Sequence, residues 1–264
     1  MKITVLSEDY LNKNGCISEH GLCLYIETEN HTVLADTGAS GTTVKNAEKL
    51  GIDLKKVDTV VLSHGHYDHT GGALPFSKIN QQAKIYIHKD AVNDFYNNRT
   101  GEYKYIGIDK DILRLPGLIY TGDFTEIDGE ISLFSGITGK KLFPGGNKTL
   151  LKYENGEYRN DDFSHEQCLV IKENGNYTLV SGCAHNGIIN IINRFTEIYG
   201  CEPSAVISGF HFTDFCFEED KGVISETANI LKKMNTVFYT GHCTCPQAYD
   251  LMKNILGEKL CKIC

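Results

Sequence analysis

Residues 58–72 read DTVVLSHGHYDHTGG and join a buried strand to a dense group of polar side chains. Residues 57–62 form a short, mainly apolar run that is rich in β-branched side chains and bounded by polar ones, which predicts a short buried strand. Four residues that can bind metal follow within six positions, namely His64, His66, Asp68 and His69. Because Gly65, Gly71 and Gly72 let the backbone turn tightly, we expect these side chains to point into one small volume.

Imidazole and carboxylate groups are suitable ligands for zinc, manganese or iron. Four of them in six residues exceed what one catalytic ion usually takes from a local motif. We therefore predict two divalent ions, one held by His64 and His66 and the other by Asp68 and His69. Zinc is the favoured metal, and manganese and iron suit the same donor set. The alternative is a polar surface loop that happens to be rich in histidine.

Residues 63–72, SHGHYDHTGG, resemble the signature of the metallo-β-lactamase superfamily. The resemblance implies an α/β (α+β) fold, a four-layer αββα sandwich with a metal site at one edge. Four further segments resemble the branch of proteins similar to dihydropterin–ribofuranosylaminobenzene 5′-phosphate synthase. They are EHGL at 19–22, GCAH at 182–185, GFH at 209–211 and HCT at 242–244.

The composition restricts the class of protein and its partners. A chain of 264 residues with 41% hydrophobic and 23% charged residues is typical of a soluble globular protein, and without repeats or low-complexity linkers we predict one domain spanning 1–264. The net charge of −8 disfavours nucleic acid, and the absence of a long apolar run disfavours a membrane span. The ten cysteines are not spaced like a secreted disulfide framework, which indicates a reducing cytoplasm. The sequence leaves open whether the chain forms a homo-oligomer.

Apolar runs and their periodicity predict the secondary structure. Predicted strands cover residues 2–7, 22–28, 31–35, 84–88, 117–121, 131–134, 168–172, 177–181, 205–208 and 236–240. Predicted helices cover residues 40–50, 188–195 and 246–256. Residues 145–146 and 154–162 have loop composition.

The remaining metal ligands are predicted at the ends of later strands. His185 follows the strand at 177–181 and precedes a helix, so we predict that it completes the site of the His64/His66 ion. The usual superfamily pattern instead has a separate histidine and then a Gly-Asp whose carboxylate bridges both metals. An alternative alignment would make His165 that histidine and put Cys183 at the bridging position. Whether Cys183 contacts metal or only lies beside the ligands is left open.

The superfamily resemblance assigns roles to three further residues. His242 follows the strand at 236–240 and resembles the last ligand, which assigns it to the Asp68/His69 ion. Asp36 would hold the metal loop through hydrogen bonds, although it could also belong to the N-cap region of the next helix. His211 is a candidate acid, base or hydrogen-bond donor, with a purely structural role as the alternative. Asp68 could move protons in addition to binding metal.

Residues 94–116 interleave aromatic and basic side chains. We predict a substrate lid in which Arg99 and Tyr105 contact an aromatic, anionic small molecule. The alternative is a solvated excursion of the chain. His20, in the EHGL segment, is a further candidate for substrate binding, although a histidine in a loop is more often solvated.

Two cysteine pairs have spacings seen in soft-metal sites. They are Cys243/Cys245 and Cys261/Cys264, which could form a structural zinc site or a disulfide. Unpaired thiols are the favoured interpretation.

The predicted function follows from the two ions. They would activate a water molecule and stabilise charge on the substrate, which predicts a metal-dependent hydrolase of a small-molecule ester, lactone or phosphoester. Because no bridging carboxylate is present, the prediction includes a site with one ion as well as one with two. One alternative is a transferase that joins a dihydropterin methyl diphosphate to a ribofuranosylaminobenzene phosphate. The other is a non-catalytic ligand-binding or redox-sensing protein.

Overall fold

Most strands of the computed structural model, which describes residues 1–11 and 15–263, belong to two large mixed sheets. In spatial order the first sheet contains β1 (Lys2–Ser7), β2 (Cys23–Glu27), β3 (Thr32–Ala35), β4 (Thr59–Leu62), β5 (Lys84–His88) and β8 (Leu118–Thr121). Strands β1, β2 and β3 pair antiparallel, and β3, β4, β5 and β8 pair parallel.

The second sheet mirrors this arrangement. In spatial order it contains β17 (Leu260–Lys262), β16 (Val237–Thr240), β15 (Ala205–Ile207), β14 (Asn176–Val180), β13 (Cys168–Glu173), β10 (Ile131–Phe134) and β9 (Phe124–Glu126). Strands β14 to β17 are parallel, and β9, β10, β13 and β14 pair antiparallel.

Helices are distributed along both halves of the chain. The α-helices are α1 (Thr42–Lys49), α2 (Tyr67–Thr70), α3 (Ala73–Ser77), α4 (Ile188–Tyr199), α5 (Phe217–Leu231) and α6 (Pro246–Leu256). Short 3-10 helices lie at Leu54–Lys56, Lys89–Val92, Lys110–Arg114, Gly145–Thr149, Asp214–Cys216 and Gly257–Lys259. Among the described residues, no helix has both the length and the apolar character needed to cross a membrane.

Alternation along the strands builds the layers, because successive side chains of a strand point to opposite faces. On β2, Leu24 and Ile26 join the core between the two sheets, whereas Cys23 and Tyr25 join the core that includes Ala47 of α1. The strands of the second sheet divide their residues in the same way, between the core shared by the sheets and the core under α4, α5 and α6. The result is the predicted αββα sandwich.

A third, small sheet corrects the prediction of a loop at 154–162. It contains β12 (Glu157–Asn160), β11 (Leu150–Glu154), β6 (Asp94–Asn97) and β7 (Lys104–Tyr105), all antiparallel. Strands β11 and β12 form a hairpin around Asn155 and Gly156, which have φ values of 54° and 86°. Asn-Gly is a strong signal for such a turn, and the loop prediction overlooked it. The predicted lid thus contains two strands and a 3-10 helix.

Parallel strands carry the candidate residues to one edge of the sandwich. Asp36 follows β3 directly, and His64 follows β4 after one intervening residue. In the second sheet, His185, His211 and His242 come after the ends of β14, β15 and β16. In open α/β sheets, ligands bind beyond the carboxyl ends of such strands.

Candidate metal centre

Asp36 fixes the loop that follows β4. Its Oδ1 accepts the Ser63 backbone N–H at 2.7 Å, and its Oδ2 accepts the Ser63 hydroxyl at 2.8 Å and lies 2.6 Å from His69 Nδ1. Asp36 has a positive φ of 60°, which costs a non-glycine residue about 1–2 kcal/mol. The N-cap of α1 is Gly41, so the contacts of Asp36 are with the histidine loop.

His64 and His185 face each other through the same ring nitrogen. Their Nε2 atoms are 3.2 Å apart. Because the Ser63 hydroxyl donates to Asp36, its oxygen accepts a hydrogen bond from His64 Nδ1 at 2.8 Å. His185 Nδ1 likewise donates to Asn147 Oδ1 at 3.1 Å, and the Asn147 amide group in turn donates to the His185 carbonyl at 2.7 Å. Both Nδ1 atoms therefore carry the proton of the neutral ring, and two Nε2 lone pairs converge.

His69 and His242 form a second pair with the same geometry. Their Nε2 atoms are also 3.2 Å apart. His69 Nδ1 donates to Asp36, and His242 Nδ1 donates to Asp9 Oδ1 at 3.1 Å. Two lone pairs at this distance repel unless a cation lies between them, either a proton on one ring or a metal ion.

The separations fit tetrahedral zinc. Zn–N bonds of about 2.0–2.1 Å place two ligand nitrogens about 3.3–3.4 Å apart at a tetrahedral angle. Both histidine pairs, at 3.2 Å, have nearly this spacing. The residues present therefore fit two divalent ions, one at each pair.

Burial and nearby negatively charged groups together determine which of the paired imidazole rings are neutral. Burial lowers the pKa of His64 and His185 well below the usual value, and neighbouring histidines add to the effect. Burial also lowers the pKa of His66 to about 3. For His242 burial opposes the charge, but Cys243, Asp68 and Asp9 outweigh it and raise the pKa. In the absence of metal, a proton would thus bridge the second pair but not the first.

The other two residues of the motif complete the groups. His66 has its ring centre 4.6 Å from that of His64 and 4.9 Å from that of His185, and its buried Nε2 has no hydrogen-bond partner. Asp68 Oδ2 lies 3.7 Å from His69 Nε2 and 3.5 Å from His242 Nε2. The structure thus brings the six predicted ligands close together: His64 pairs with His185 and His69 with His242, the His66 ring lies beside the first pair, and Asp68 lies beside the second.

Cys183 lies between the two groups. Its Sγ is 3.1 Å from His69 Nε2. Within 4.8 Å, the sulfur forms one group with the ligand atoms of His64 and His185 and another with those of His69 and His242. This is the location that the alternative alignment gave to a bridging residue.

His165, the alternative ligand, is occupied elsewhere. Its Nδ1 accepts the Gly65 backbone N–H at 3.1 Å, and its Nε2 lies 3.0 Å from Asp161 Oδ2. Both ring nitrogens thus have partners within the protein, and the ring centre is 6.0 Å from that of His64. The geometry favours His185 over His165 as a ligand.

A cavity of about 500 Å³ opens beside the two groups. Its walls include His66, Asp68, Cys183, His185, His211 and Cys243 from the centre, and Asn97, Arg99, Thr100, Lys104, Ile106, Thr149 and Leu150 from the third sheet and its loops. The third sheet therefore forms one wall of the cavity.

The predicted substrate contacts have different positions relative to this cavity. Arg99 lines it and stacks on Phe215, with its guanidinium carbon 4.7 Å from the ring centre. Tyr105 is not among the lining residues, because its hydroxyl donates to the Ile108 carbonyl at 2.9 Å and its ring packs on Tyr96. Lys104 borders the cavity instead, as expected when successive residues of β7 point in opposite directions.

His20 and His211 both line the cavity. His20 is largely exposed, and its Nδ1 and Nε2 lie 3.0 Å from Asp9 and 3.4 Å from Asp68. The hydrogen bond to Asp9 raises the pKa of His20 to about 9. His211 is buried with a φ of 51°, and its Nδ1 has no hydrogen-bond partner.

The cysteines of the two C-terminal pairs point to separate places. Cys243 borders the cavity, whereas Cys245 belongs to the core under α6. Cys261 Sγ lies near the Glu258 carbonyl, and Cys264 is outside the described residues. The nine cysteines of the described part of the chain are free thiols.

Three residues that orient the centre were not predicted. Asp9 contacts His242, Asn147 contacts His185, and Glu166 accepts the backbone N–H groups of His185 and Asn186 at 2.7 and 2.8 Å. Asp9 could have been predicted from the sequence. It follows the predicted strand β1, which runs in the same direction as β3 and β4 and so ends at the same edge of the sheet. Asn147 and Glu166 lie in segments without a periodic pattern, so nothing local marks them.

Comparisons with known proteins agree with this geometry. A family model described as the metallo-β-lactamase superfamily matches residues 19–145. The chain is 33% identical over 267 residues to the 7,8-dihydropterin-6-methyl-4-(β-D-ribofuranosyl)-aminobenzene-5′-phosphate synthase of Methanocaldococcus jannaschii, covering 92% of this chain and 87% of that one. This chain belongs to the metallo-β-lactamase superfamily.

Solved structures of the superfamily resemble the whole chain. A crystal structure described as a metal-dependent hydrolase of the β-lactamase superfamily has a TM-score of 0.78 at 30% identity, covering 98% of this chain and 94% of that one. A metallo-β-lactamase fold protein from Bacillus subtilis has a TM-score of 0.55 at 13% identity, covering 98% and 95%, which shows the fold alone. The predicted superfamily and fold class are confirmed, and this metal-dependent, enzyme-like family implies a small-molecule substrate.

Proposed function

We propose that the chain is a metal-dependent hydrolase of a small anionic ester, lactone or phosphoester, formed by one domain over residues 1–264. The observation that carries the proposal is the convergence of His64 Nε2 and His185 Nε2 at 3.2 Å, with both Nδ1 atoms engaged elsewhere. A buried arrangement of this kind needs a cation, and burial keeps both rings neutral. A cavity of about 500 Å³ beside it is large enough for a small substrate.

The residues assigned to the ions form two sets. His64, His66 and His185 would hold one ion, and Asp68, His69 and His242 the other. Zinc remains the favoured metal for these nitrogen and oxygen donors. Divalent ions bound here would supply Lewis acidity and a nucleophile derived from water near neutral pH.

The protein's own groups orient the reaction. Asp36 fixes both the Ser63–His64 turn and the His69 ring through three contacts of 2.6–2.8 Å. His211 lines the cavity, where its ring can donate a hydrogen bond to the leaving oxygen as the ester bond breaks. Asp68 Oδ2 lies 3.4 Å from His20 Nε2, and because the raised pKa of His20 keeps this imidazole protonated near neutral pH, the ring can donate a proton toward the centre through Asp68.

Charge at the cavity rim supports an anionic substrate. Arg99 and Lys104 project from the third sheet and its loop, and both border the cavity. Among the proposed ligands, His66, Asp68 and His185 line the opposite side of the cavity. A phosphate or carboxylate group of the substrate would therefore lie between the metal ions and these two cationic side chains. The third sheet would then act as the lid over the substrate.

Metal analysis combined with activity tests this function. The purified protein, loaded with zinc, manganese or iron, is assayed on bis(p-nitrophenyl) phosphate and on an acyl lactone. We expect stoichiometric metal and turnover of at least one substrate class, both abolished by a chelator and restored by the metal. Protein that binds no metal under any of these conditions would contradict the proposal.

A transferase is the second candidate, and one observation favours it. The similarity to the Methanocaldococcus jannaschii synthase extends over 92% of this chain. In the transferase reaction predicted for this chain, an aromatic amine would attack a pterin methylene, so that a C–N bond forms, the C–O bond to diphosphate breaks and the amine loses a proton. Arg99 and Lys104 suit phosphate groups on either reactant.

Incubation with both reactants distinguishes the two candidates. A coupled pterin product together with released diphosphate would identify the transferase, whereas ester or lactone hydrolysis alone would identify the hydrolase. Metal binding with neither activity would favour the non-catalytic, ligand-binding or redox-sensing alternative.

A further inference from the structure

Cys243 borders the metal centre without belonging to either proposed ligand set. Its Sγ lies 3.3 Å from His242 Nε2, the nitrogen that also faces His69. It lines the cavity beside Cys183 and His211. A thiol in this position is poorly explained by packing, because the side chain is neither fully enclosed nor part of a hydrophobic core.

The backbone at Cys243 is strained in a way that aims the sulfur. Its φ is 55°, in the left-handed region, where a residue with a Cβ costs about 1–2 kcal/mol relative to the usual conformation. Strain of this kind persists where the surroundings hold it and is concentrated at functional sites. The neighbouring Cys245 shows no such φ and points into the core instead.

A second sulfur and the ring of His211 lie near the same point. The ligand atoms of Cys183, His211 and Cys243 all lie within 4.8 Å of one another. His211 is 8% exposed and its Nδ1 has no hydrogen-bond partner. Cys183 Sγ in turn is 3.1 Å from His69 Nε2, so a sulfur stands beside each histidine of the second pair.

We propose that Cys243 supplies a thiolate ligand to the ion held by Asp68, His69 and His242, and that Cys183 supplies a second sulfur between the two ions. The inference rests on the metal site of the proposed function. For bonds of about 2.0 Å to nitrogen and 2.3 Å to sulfur, a ligand–metal–ligand angle of about 109° places N and S about 3.5 Å apart, close to the observed 3.3 Å; with Cys183 included, the ion would have five protein ligands. On binding, each S–H bond breaks, a metal–sulfur bond forms and the proton passes to solvent.

Sulfur donors change which metal the centre prefers. Thiolates favour zinc and iron and disfavour manganese, which prefers oxygen ligands. The carboxylate that bridges the ions in the usual superfamily pattern is thus replaced by a softer ligand, and a second soft ligand is added at the cavity wall.

Cobalt(II) substitution tests the proposal on the intact chain. Protein stripped of metal under reducing conditions is loaded with cobalt(II), and the thiolate-to-cobalt charge-transfer absorption in the near ultraviolet is measured per bound cobalt. We expect strong absorption in the natural protein and a loss of about a third of it in Cys243→Ser, because one of three thiolate–cobalt bonds is removed. Cys245→Ser is the matched control, two residues away in the same segment, and should keep the full absorption.

The outcomes separate this inference from the proposed function. Full absorption per cobalt in Cys243→Ser, or no charge-transfer band in the natural protein, would overturn the thiolate assignment while leaving the histidine centre intact. Failure to bind any divalent ion would contradict the proposed function itself. If Cys243→Ser fails to fold, X-ray absorption at the zinc edge of the natural protein decides, because the proposal requires a sulfur shell at about 2.3 Å.

Discussion

Two histidine sites lie at opposite ends of the same strands. Strands β3 and β4 begin next to His31 and Asp58 and end next to Asp36 and Ser63. At the starting end, His31 Nδ1 is 2.9 Å from Asp58 Oδ1 and its Nε2 is 2.5 Å from Asp128 Oδ2. At the other end, four histidines turn Nδ1 toward a hydroxyl, an amide or a carboxylate and Nε2 toward another histidine.

The partners of the two ring nitrogens distinguish the roles. A ring between two carboxylates is best protonated, and the pKa of His31 is raised accordingly: burial opposes the charge, but Asp58 and Asp128 outweigh it. Rings whose Nε2 atoms face each other need a shared cation. Histidine at one end thus forms an ion pair that joins the two sheets, and at the other end it is a proposed metal ligand.

The backbone differs between the two ends as well. Around the metal centre, Asp36, Ala184, His211 and Cys243 all have positive φ. Among the described residues, those that form the His31 ion pair do not. An ion pair at the surface tolerates relaxed loops, whereas several ligands that must meet at one point require the chain to hold unfavourable conformations.

The largest difference between the two ends of the strands is expected when His185 and His31 are each replaced, and it should appear in metal content and activity. His185→Ala should lose one metal ion per chain and reduce activity by more than about 100-fold, because the ion loses a direct ligand. His31→Ala should keep both metal content and activity. Metal analysis by mass spectrometry provides the measurement, and His165→Ala is the matched control at the centre. Normal metal content in His185→Ala would show that the histidine pairing has been misinterpreted.

Asp36 and Asp58 give a matched comparison along the same pair of strands. Asp36→Asn keeps the size of the side chain but weakens the contacts that orient Ser63 and His69, so metal affinity should fall by about 10–100-fold. Asp58→Asn, at the other end of β4, should leave metal affinity unchanged. Competition with a chromogenic chelator measures both. Equal affinities in the two variants would exclude the orienting role of Asp36.

The sequence was most informative where ligands lie close together in the chain. His64, His66, Asp68 and His69 were found from their own spacing, because one strand end and one turn hold them all. His185 and His242 lie far apart in the chain, and only the superfamily resemblance connected them with the first group. The pairing of Nε2 atoms depends on parallel strands from two sheets meeting at one edge, which no local pattern encodes.

The elements of the sandwich were predictable for the same reason that the third sheet was not. Strands such as β2 and β13 are largely apolar because both faces are buried, and this gives a clear signal. The small sheet is largely exposed, and residues 157–160 are all exposed, so the apolar pattern on which the prediction depended is absent. Tyr105 was misplaced for a related reason, since the two-residue strand β7 gives no indication of which side faces the cavity.

Substitutions of Arg99 and Tyr105 compare a residue that lines the cavity with one that does not, through their effects on the KM for substrate. Arg99→Ala should raise KM by about 5–30-fold with little change in kcat, because a charge-assisted contact to an anionic substrate contributes about 1–2 kcal/mol. Tyr105→Phe should leave KM unchanged, since its hydroxyl bonds to Ile108 away from the cavity. Arg114→Ala, which removes an exposed cation paired with Asp111, controls for net charge. A matching rise in KM for Arg114→Ala would attribute the effect to long-range attraction instead.

The smallest effect is expected for a substitution of His31, and it should be a change in thermal stability that depends on pH. Because the folded-state pKa of His31 is raised above its ordinary value of about 6.5, its stabilisation is fully present below that value and is lost as the pH rises through the folded-state pKa. Asp128 has a lowered pKa, so it stays ionised throughout this range. His31→Gln should therefore lower Tm by about 1–3 °C at pH 6, discounted for the exposure of both carboxylates, and by less at pH 9.

Thermal unfolding of metal-free protein isolates this contribution, because removing the ions prevents their binding from changing Tm with pH. Asn30→Ala is a suitable control, as Asn30 adjoins His31 and bonds to the partly buried Glu130, and its Tm difference should not vary between pH 6 and pH 9. If the deficit of His31→Gln grew toward alkaline pH, the neutral ring rather than the imidazolium would be the stabilising form. The contrast between the two ends would then rest on backbone strain and ring pairing alone.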